Sequence, residues 1–364
     1  TITGLNNATR YYFRVTAVNK DGYESTASNT IDITPTYTGP VWWVSTTGND
    51  DTGEGSSGNP YKSLKHAIEH VSSGDTIMIK PGTYSGEDNR NIHLYPNDSG
   101  NFSEKYKNLV ITSEKGAAET IFDAGNNGRH FRMTSNSKGS IDSTMQFIGL
   151  TFRGGRMNED GGSFHLDAEE YYSDPYWIAY SLNPKFVNCV FINNRVSSSN
   201  STVSGGAFYL DEASPIFESC VFDSNYAMSG GAIAVVGNPE TYRDTLWIRN
   251  STIKNNAVSD SENPGHGARG GGVSFNNGIN AMIYNSVFEN NAAVSYSNSG
   301  SGVYGGGLDV DNQWSAQLNP MVWIVNSRFS KNKIDHKGGN TNTYGGGIHM
   351  GAPHTIINTV IDSN

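Results

Sequence analysis

The sequence predicts an all-β chain, a right-handed parallel β-helix with a short N-terminal capping helix, preceded by a partial β-sandwich. Three observations carry that expectation. Gly, Asn, Ser and Thr are abundant while charged residues make up 16% of the 364 residues, which suits tight turns and short strands better than long helices. A short template recurs along the second half: an apolar residue, Asn two later, Phe or Ile three after that, and Asn three later again. Between successive copies of that template a pair of glycines opens a strand.

At the N-terminus, Tyr11, Phe13, Val15 and Ala17 alternate with polar residues, a turn falls at Lys20-Asp21-Gly22, and Thr30–Thr34 alternates again, so a hairpin is expected. Residues 36–40 read as a linker. From Val41 the character changes. An aromatic-rich strand, VWWVS, leads through a Gly/Asp/Ser loop to Asn59-Pro60, and SLKHAIEHV then places Leu64, Ala67, Ile68 and Val71 at helical spacing. Ser63 is the expected N-cap and Gly74 lies just past the end. A strand closed by a Pro-Gly turn, GDTIMIKPGTY, follows. The β-helix is expected over 41–364, with both ends looking cut: the chain opens inside a domain and stops at Asn364 in mid-repeat.

The template reads Phe186, Asn188, Phe191, Asn194; Phe217, Ser219, Phe222, Asn225; Ile248, Asn250, Ile253, Asn256; Ile283, Asn285, Phe288, Asn291; Ile324, Asn326, Phe329, Asn332; and Ile356, Asn358, Ile361, Asn364. A degenerate copy has Gly in both Asn positions, at Phe147, Gly149, Phe152 and Gly155. Copies lie 31 to 41 residues apart, the length of one coil of three short strands plus variable turns. The glycine pairs stand in GGSFHLD, GGAFYLD, GGAIAVV, GGVSFNN, GGLDVDN and GGIHMGA. Two landmarks in strict alternation mean one structural period. Phe and Ile should then stack in columns, and Asn side chains should form amide ladders that satisfy backbone groups at the bends. Cys189 and Cys220 share a place that later copies fill with Ser251, Ser286, Ser327 and Thr359, so a stack of small side chains is expected, with an inter-coil disulfide as the alternative.

The run TGLNNATRYYFRVTAVNKDGYES resembles the closing strands of a fibronectin type III domain, with Leu5 before the turn and Tyr11 where that family places its corner tyrosine. GNPYKSLKHAIEHVSSGDTIMIKPGTY resembles the N-terminal cap of secreted right-handed β-helix proteins, the pectin lyase-like solenoids that include polysaccharide lyases. The combination of GGAI-like and FxxN-like motifs over about 161–364 is similar to the passenger domains of chlamydial polymorphic membrane proteins, which are surface adhesins. These resemblances imply a secreted or cell-surface modular protein, monomeric, acting as an adhesin or glycan-binding scaffold on an extracellular polysaccharide or a neighbouring cell. The alternative they imply is a Ca²⁺-dependent polysaccharide lyase or another polysaccharide-degrading enzyme.

A formal net charge of −10 with no Lys/Arg cluster excludes a nucleic-acid partner, and no run of eighteen apolar residues spans a bilayer. Strand parity gives an outward column His165, Tyr209, Ala234, Ser274, Asp309, His349 and a second column Asp167, Asp211, Val236, Asn276, Asp311, Gly351. Asp167, Asp211 and Glu212, with Glu169 and Glu170 nearby, are the oxygen donors of a candidate Ca²⁺ site. The insertion from Asp167 to Pro184 carries Tyr171, Tyr172, Tyr176, Trp177 and Tyr180, flat rings on which sugars stack; with Tyr209, Asp309 and Asp311 they are the expected ligand contacts. A lyase needs a base, for which Arg153, Arg156 and Lys185 are candidates, whereas a hydrolase needs two spaced carboxylates from Asp167, Asp211, Asp309 and Asp311. His165 and His349 are three or more coils apart and share no metal.

Overall fold

The computed structural model describes residues 5, 10–20, 22–34, 39–95, 107–174, 176–199, 202–237, 241–242, 245–261, 266–276, 280–297, 302–311, 321–338, 342–351 and 353–364. Of the expected linker, residues 36–38 lie outside these. The N-terminal hairpin is present: Tyr11–Phe13 pairs antiparallel with Ile31–Ile33. Tyr12, Val15 and Ile31 stand largely in solvent.

Helix α1, Leu64–His70, forms where its spacing places it, with the Ser63 hydroxyl accepting from the His66 amide. Leu64, Ala67 and Ile68 are fully buried, so the helix closes the open end of the solenoid with one apolar stripe. Beside it Val41–Val44 and Thr76–Ile79 pair in parallel and begin the winding.

The winding is a right-handed parallel β-helix whose strands fall into four long parallel sheets. A ten-stranded first sheet runs from Val41–Val44 to His354–Ile357, and a nine-stranded second sheet from Gly82–Tyr84 to Val360–Asp362. A six-stranded third sheet runs from Arg156–Met157 to Lys333–His336, and an eight-stranded fourth sheet from Ile92–Leu94 to Ile348–Met350. The expectation of three strands per coil is therefore corrected to four from Arg156 onward. The extra strand is as short as two residues, such as Arg195–Val196, too short to show an alternation.

The template's two apolar positions point inward from the first and second sheets and stack as expected. Phe147 lies over Phe186 at 5.0 Å and 9°, and Phe152 over Phe191 at 5.6 Å and 9°. Phe164 lies over Phe208 at 4.7 Å and 7° from the fourth sheet. All six rings are fully buried, and each contributes about 1.5–3 kcal/mol of apolar burial. His130 is buried among them, between the Ser163 hydroxyl at 2.8 Å and the Phe122 carbonyl at 3.1 Å, and burial pushes its pKa down to about 4.

The two Asn positions of the template do different work. The second is the amide ladder: Asn194 Nδ2 donates to Asn225 Oδ1 at 3.0 Å, and Asn225, Asn256, Asn291 and Asn332 repeat this on the next coil at 2.9, 3.0, 2.8 and 2.9 Å. Each amide also donates to a backbone carbonyl of the preceding coil, as Asn256 does to Phe222. The first Asn instead holds a left-handed backbone, with φ of 52° at Asn188, 50° at Asn250 and 49° at Asn285. Asn tolerates that conformation better than other non-glycine residues, which explains the Gly at the degenerate copy's Gly149. Cys189 and Cys220 are free, buried thiols in a column that continues as hydroxyls, with Ser251 Oγ accepting from the Cys220 amide at 3.1 Å and Ser286 Oγ from the Ser251 amide at 3.2 Å.

The two Asn positions therefore respond unequally to substitution. Asn256→Ala strands several buried donors and acceptors and should cost about 2–4 kcal/mol in denaturant unfolding. Asn250→Gly keeps the corner and should cost under about 1 kcal/mol.

Candidate functional site at the glycine corner

The chain passes into the fourth sheet through a glycine corner. In the six coils from Gly161 onward its first glycine is left-handed, with φ of 75° at Gly161, 74° at Gly205, 60° at Gly230, 61° at Gly270, 56° at Gly305 and 69° at Gly345. The second has no room for a side chain: a Cβ on Gly271 would lie 2.2 Å from the Gly306 carbonyl oxygen, and one on Gly306 would lie 2.3 Å from that of Gly346. In the last three coils the structural pair is thus Gly270-Gly271, Gly305-Gly306 and Gly345-Gly346, one residue earlier than the spacing in GGVSFNN, GGLDVDN and GGIHMGA implies.

This corner folds the preceding segment back against the fourth sheet. Ala268–Arg269, Val303–Tyr304 and Thr343–Tyr344 form a short parallel sheet of their own. In three successive coils the residue just before the glycine pair leans on the outward residue of the next coil. Ser229 Oγ lies 3.2 Å from Ser274 Oγ, Arg269 Nη1 lies 3.6 Å from Asp309 Oδ2, and the Tyr304 ring lies 4.9 Å from the His349 ring. The outward column itself is in the expected register, extended by two residues at its start: His93, Arg132, His165, Tyr209, Ala234, Ser274, Asp309, His349. Its exposure differs from expectation, because the folded-back segment covers Ala234, Ser274 and Asp309, which are all buried.

At one end of the column, Asp309 accepts from His349 Nδ1 at 2.7 Å, while the Arg269 guanidinium sits 4.2 Å over the Tyr304 ring and also pairs with Asp311. Tyr304 and Tyr344 stack at 5.3 Å and 12°, and Tyr344 is 44% exposed. Burial holds the Asp309 carboxyl above its usual range, against the opposing pull of His349 and Arg269. A buried carboxylate that orients a half-buried imidazole, beside an arginine and an aromatic shelf, is a set of groups able to bind an anionic sugar or move a proton.

At the other end, Arg132 Nη2 lies 3.3 Å from Asp167, and the His165 and Tyr209 rings lie 5.0 Å apart. Burial, with Arg129 and Arg132 adding to it, lowers the His165 pKa to about 4, so its ring is neutral at pH 7. Asp167 and Asp211 are register partners on adjacent strands, and Glu212 is buried with a left-handed backbone. These three are not gathered around one point: among the described residues, the group of three His, Cys, Asp or Glu whose ligand atoms all lie within 4.8 Å of one another is His66, Glu69 and His70. The Asp167 charge is met by Arg132, a residue the template did not reach because it precedes the first copy.

The candidate bases fall on other walls. Arg153, on the second sheet, pairs with Asp123 at 2.8 Å, and Lys185, on the first, with Glu218 at 2.7 Å. Arg156 stands exposed on the third sheet, beside Asn91, Asn126 and Asn158. The aromatic insertion is a hairpin, Glu170–Ser173 against Tyr176–Ala179, with Pro175 and the Tyr176 side chain outside the described residues. It divides its rings between two faces: Tyr172 packs on Trp177 at 5.4 Å, and Tyr171 on Tyr180 at 4.9 Å. Tyr171, Tyr172 and Trp177 are 41%, 57% and 37% exposed.

These features define a parallel β-helix protein with a polar seam along its glycine corner. A family model described as a protein of unknown function (DUF1565) matches residues 46–147, the cap and the first coils. No curated protein matches the chain. Among solved structures it is similar to the crystal structure of pectate lyase Pel9A, with a TM-score of 0.43 and 16% identity, covering 86% of this chain and 79% of that one. It is also similar to a rhamnogalacturonan lyase, with a TM-score of 0.35 and 11% identity, covering 88% of this chain and 87% of the other.

Asp309 is raised by its surroundings, so the stability it contributes is present below the unfolded carboxyl value and lost as pH rises through the folded one. At neutral pH its charge is a net cost. Asp309→Asn should therefore raise the denaturant midpoint at pH 7 and narrow the difference between acidic and neutral midpoints; a lower midpoint at pH 7 would contradict this reading.

Proposed function

We propose that this chain is a polysaccharide-binding β-helix of a secreted or cell-surface protein, an adhesin or glycan scaffold, with its ligand seated along the glycine corner between Arg269 and His349. The observation that carries the reading is the Tyr304–Tyr344 shelf, two rings stacked within 12° on adjacent coils and flanked by Arg269, Asp311 and His349. A flat aromatic face takes the apolar side of a pyranose at low entropic cost. The adjacent guanidinium supplies a fork suited to a uronate carboxylate. Asp167 is met by Arg132, and Asp309 and Asp311 by Arg269, so the reading requires no calcium. Residues 1–35 are, in this reading, closing strands of a fibronectin type III domain, joined through 36–40.

A second reading rests on the Asp309–His349 hydrogen bond. A buried carboxylate that fixes an imidazole's tautomer equips the other ring nitrogen as a general base. With Arg269 offsetting a uronate carboxylate, His349 would take the proton α to it, the glycosidic C–O bond at the β carbon would break as the C=C bond forms, and water would protonate the departing oxygen.

Binding is tested by titrating neutral and uronate-containing polysaccharides into the whole chain. Tyr344→Ala should weaken the bound class by about tenfold, while Trp177→Ala on the distant hairpin should leave it unchanged. Loss on Trp177→Ala alone would move the site to the hairpin. Accumulation of unsaturated uronate products that disappears with His349→Gln would establish the second reading instead.

A further inference from the structure

We propose that His66, Glu69 and His70 on helix α1 form a binding site for a divalent transition metal, Zn²⁺ above all, on the cap of the solenoid and apart from the glycine corner. The pattern His-Ala-Ile-Glu-His puts the two histidines at i and i+4 and the glutamate at i+3, so all three project from one face of the helix. That face is opposite in character to the stripe of Leu64, Ala67 and Ile68, which is fully buried. One ligand atom from each of the three lies within 4.8 Å of the others. Ligands about 2.0–2.2 Å from a tetrahedral Zn²⁺ sit roughly 3.3–3.5 Å apart, so a small rotation of these partly exposed side chains closes the site.

Three further features suit a ligand set better than a chance surface cluster. The His66 and His70 rings are stacked at 4.1 Å and 25°, two imidazoles side by side with no carboxylate between them. His70 Nδ1 lies 2.8 Å from the His66 carbonyl oxygen, which only accepts, so Nδ1 carries the hydrogen and Nε2 keeps its lone pair. A metal-binding histidine is oriented in this same way, by donating its second nitrogen to a backbone carbonyl. Tyr61 braces both rings, with centroids 4.7 Å from His66 and 5.5 Å from His70, and Tyr61 is itself stacked on Trp42.

Two imidazoles and one carboxylate favour Zn²⁺, Cu²⁺ or Ni²⁺ over Ca²⁺ or Mg²⁺, which take oxygen donors. A metal bridging residues one turn apart clamps a seven-residue helix and so stiffens the lid over the first coil. Three protein ligands leave one position of a tetrahedron for water or an exogenous ligand.

The test is a titration of Zn²⁺ into the whole, chelator-treated chain by calorimetry, with the thermal midpoint followed in parallel. One ion per chain should bind at about 10 µM or tighter and raise the midpoint, and binding should weaken as the pH is lowered, since protons compete with the metal for imidazole nitrogens. His70→Gln, at an exposed position that the fold tolerates, should abolish it, as should His66→Gln, while Glu69→Gln should weaken it. Ca²⁺ should give no heat. Absence of stoichiometric Zn²⁺ binding, or binding that survives His70→Gln with the chain shown folded by circular dichroism, would overturn the proposal.

Discussion

The close stacking of one coil's glycine corner on the next is the constraint on which the rest of the structure depends. At the second glycine of every corner but the last a Cβ would fall 2.1 to 2.3 Å from the next coil's glycine carbonyl, from Gly162 on Gly206 through Gly231 on Gly271 to Gly306 on Gly346. That column lets successive coils sit at strand spacing on a wall where the chain doubles back. Once spacing and register are set there, Phe stacks on Phe, Asn on Asn and thiol on hydroxyl. Each column then reinforces the register that the others require.

Most of this frame was legible because a solenoid writes its core in sequence at a fixed interval. Phe186 and Phe217, or Asn225 and Asn256, occupy equivalent places in consecutive coils, and no packing detail is needed to align them. The short third sheet was not legible, since a two-residue strand such as Tyr226–Ala227 has no alternation. The template also could not say that its two Asn positions differ. One is chosen for buried hydrogen bonding and the other for a left-handed backbone, and the same residue type serves both.

Of the candidate site, the register of the outward column was legible but not its environment. Parity places Asp309 on the outer face, yet Asp309 is buried, with Arg269 reaching it from the preceding coil and His349 from the next. Arg269, Tyr304 and Tyr344 lie before the glycines, in a short sheet with a further bridge from Arg269 to Ser229, and nothing in the periodicity marks them. The three bases expected from proximity in sequence are on other walls, because within a single coil the chain passes from one sheet to the next. Each of the charged groups at the corner has a partner within the protein, so charge alone was a poor guide to what binds there. The aromatic shelf is better.

The account's central claim is that ligand contact runs along the glycine corner, and hydrogen–deuterium exchange of the whole chain with and without a bound polysaccharide tests it most directly. Protection concentrated in peptides covering 266–276, 302–311 and 342–351, with the hairpin at 170–179 unchanged, is the result the account predicts. Protection confined to the hairpin, or spread over the first and second sheets while the corner peptides exchange as before, would contradict it.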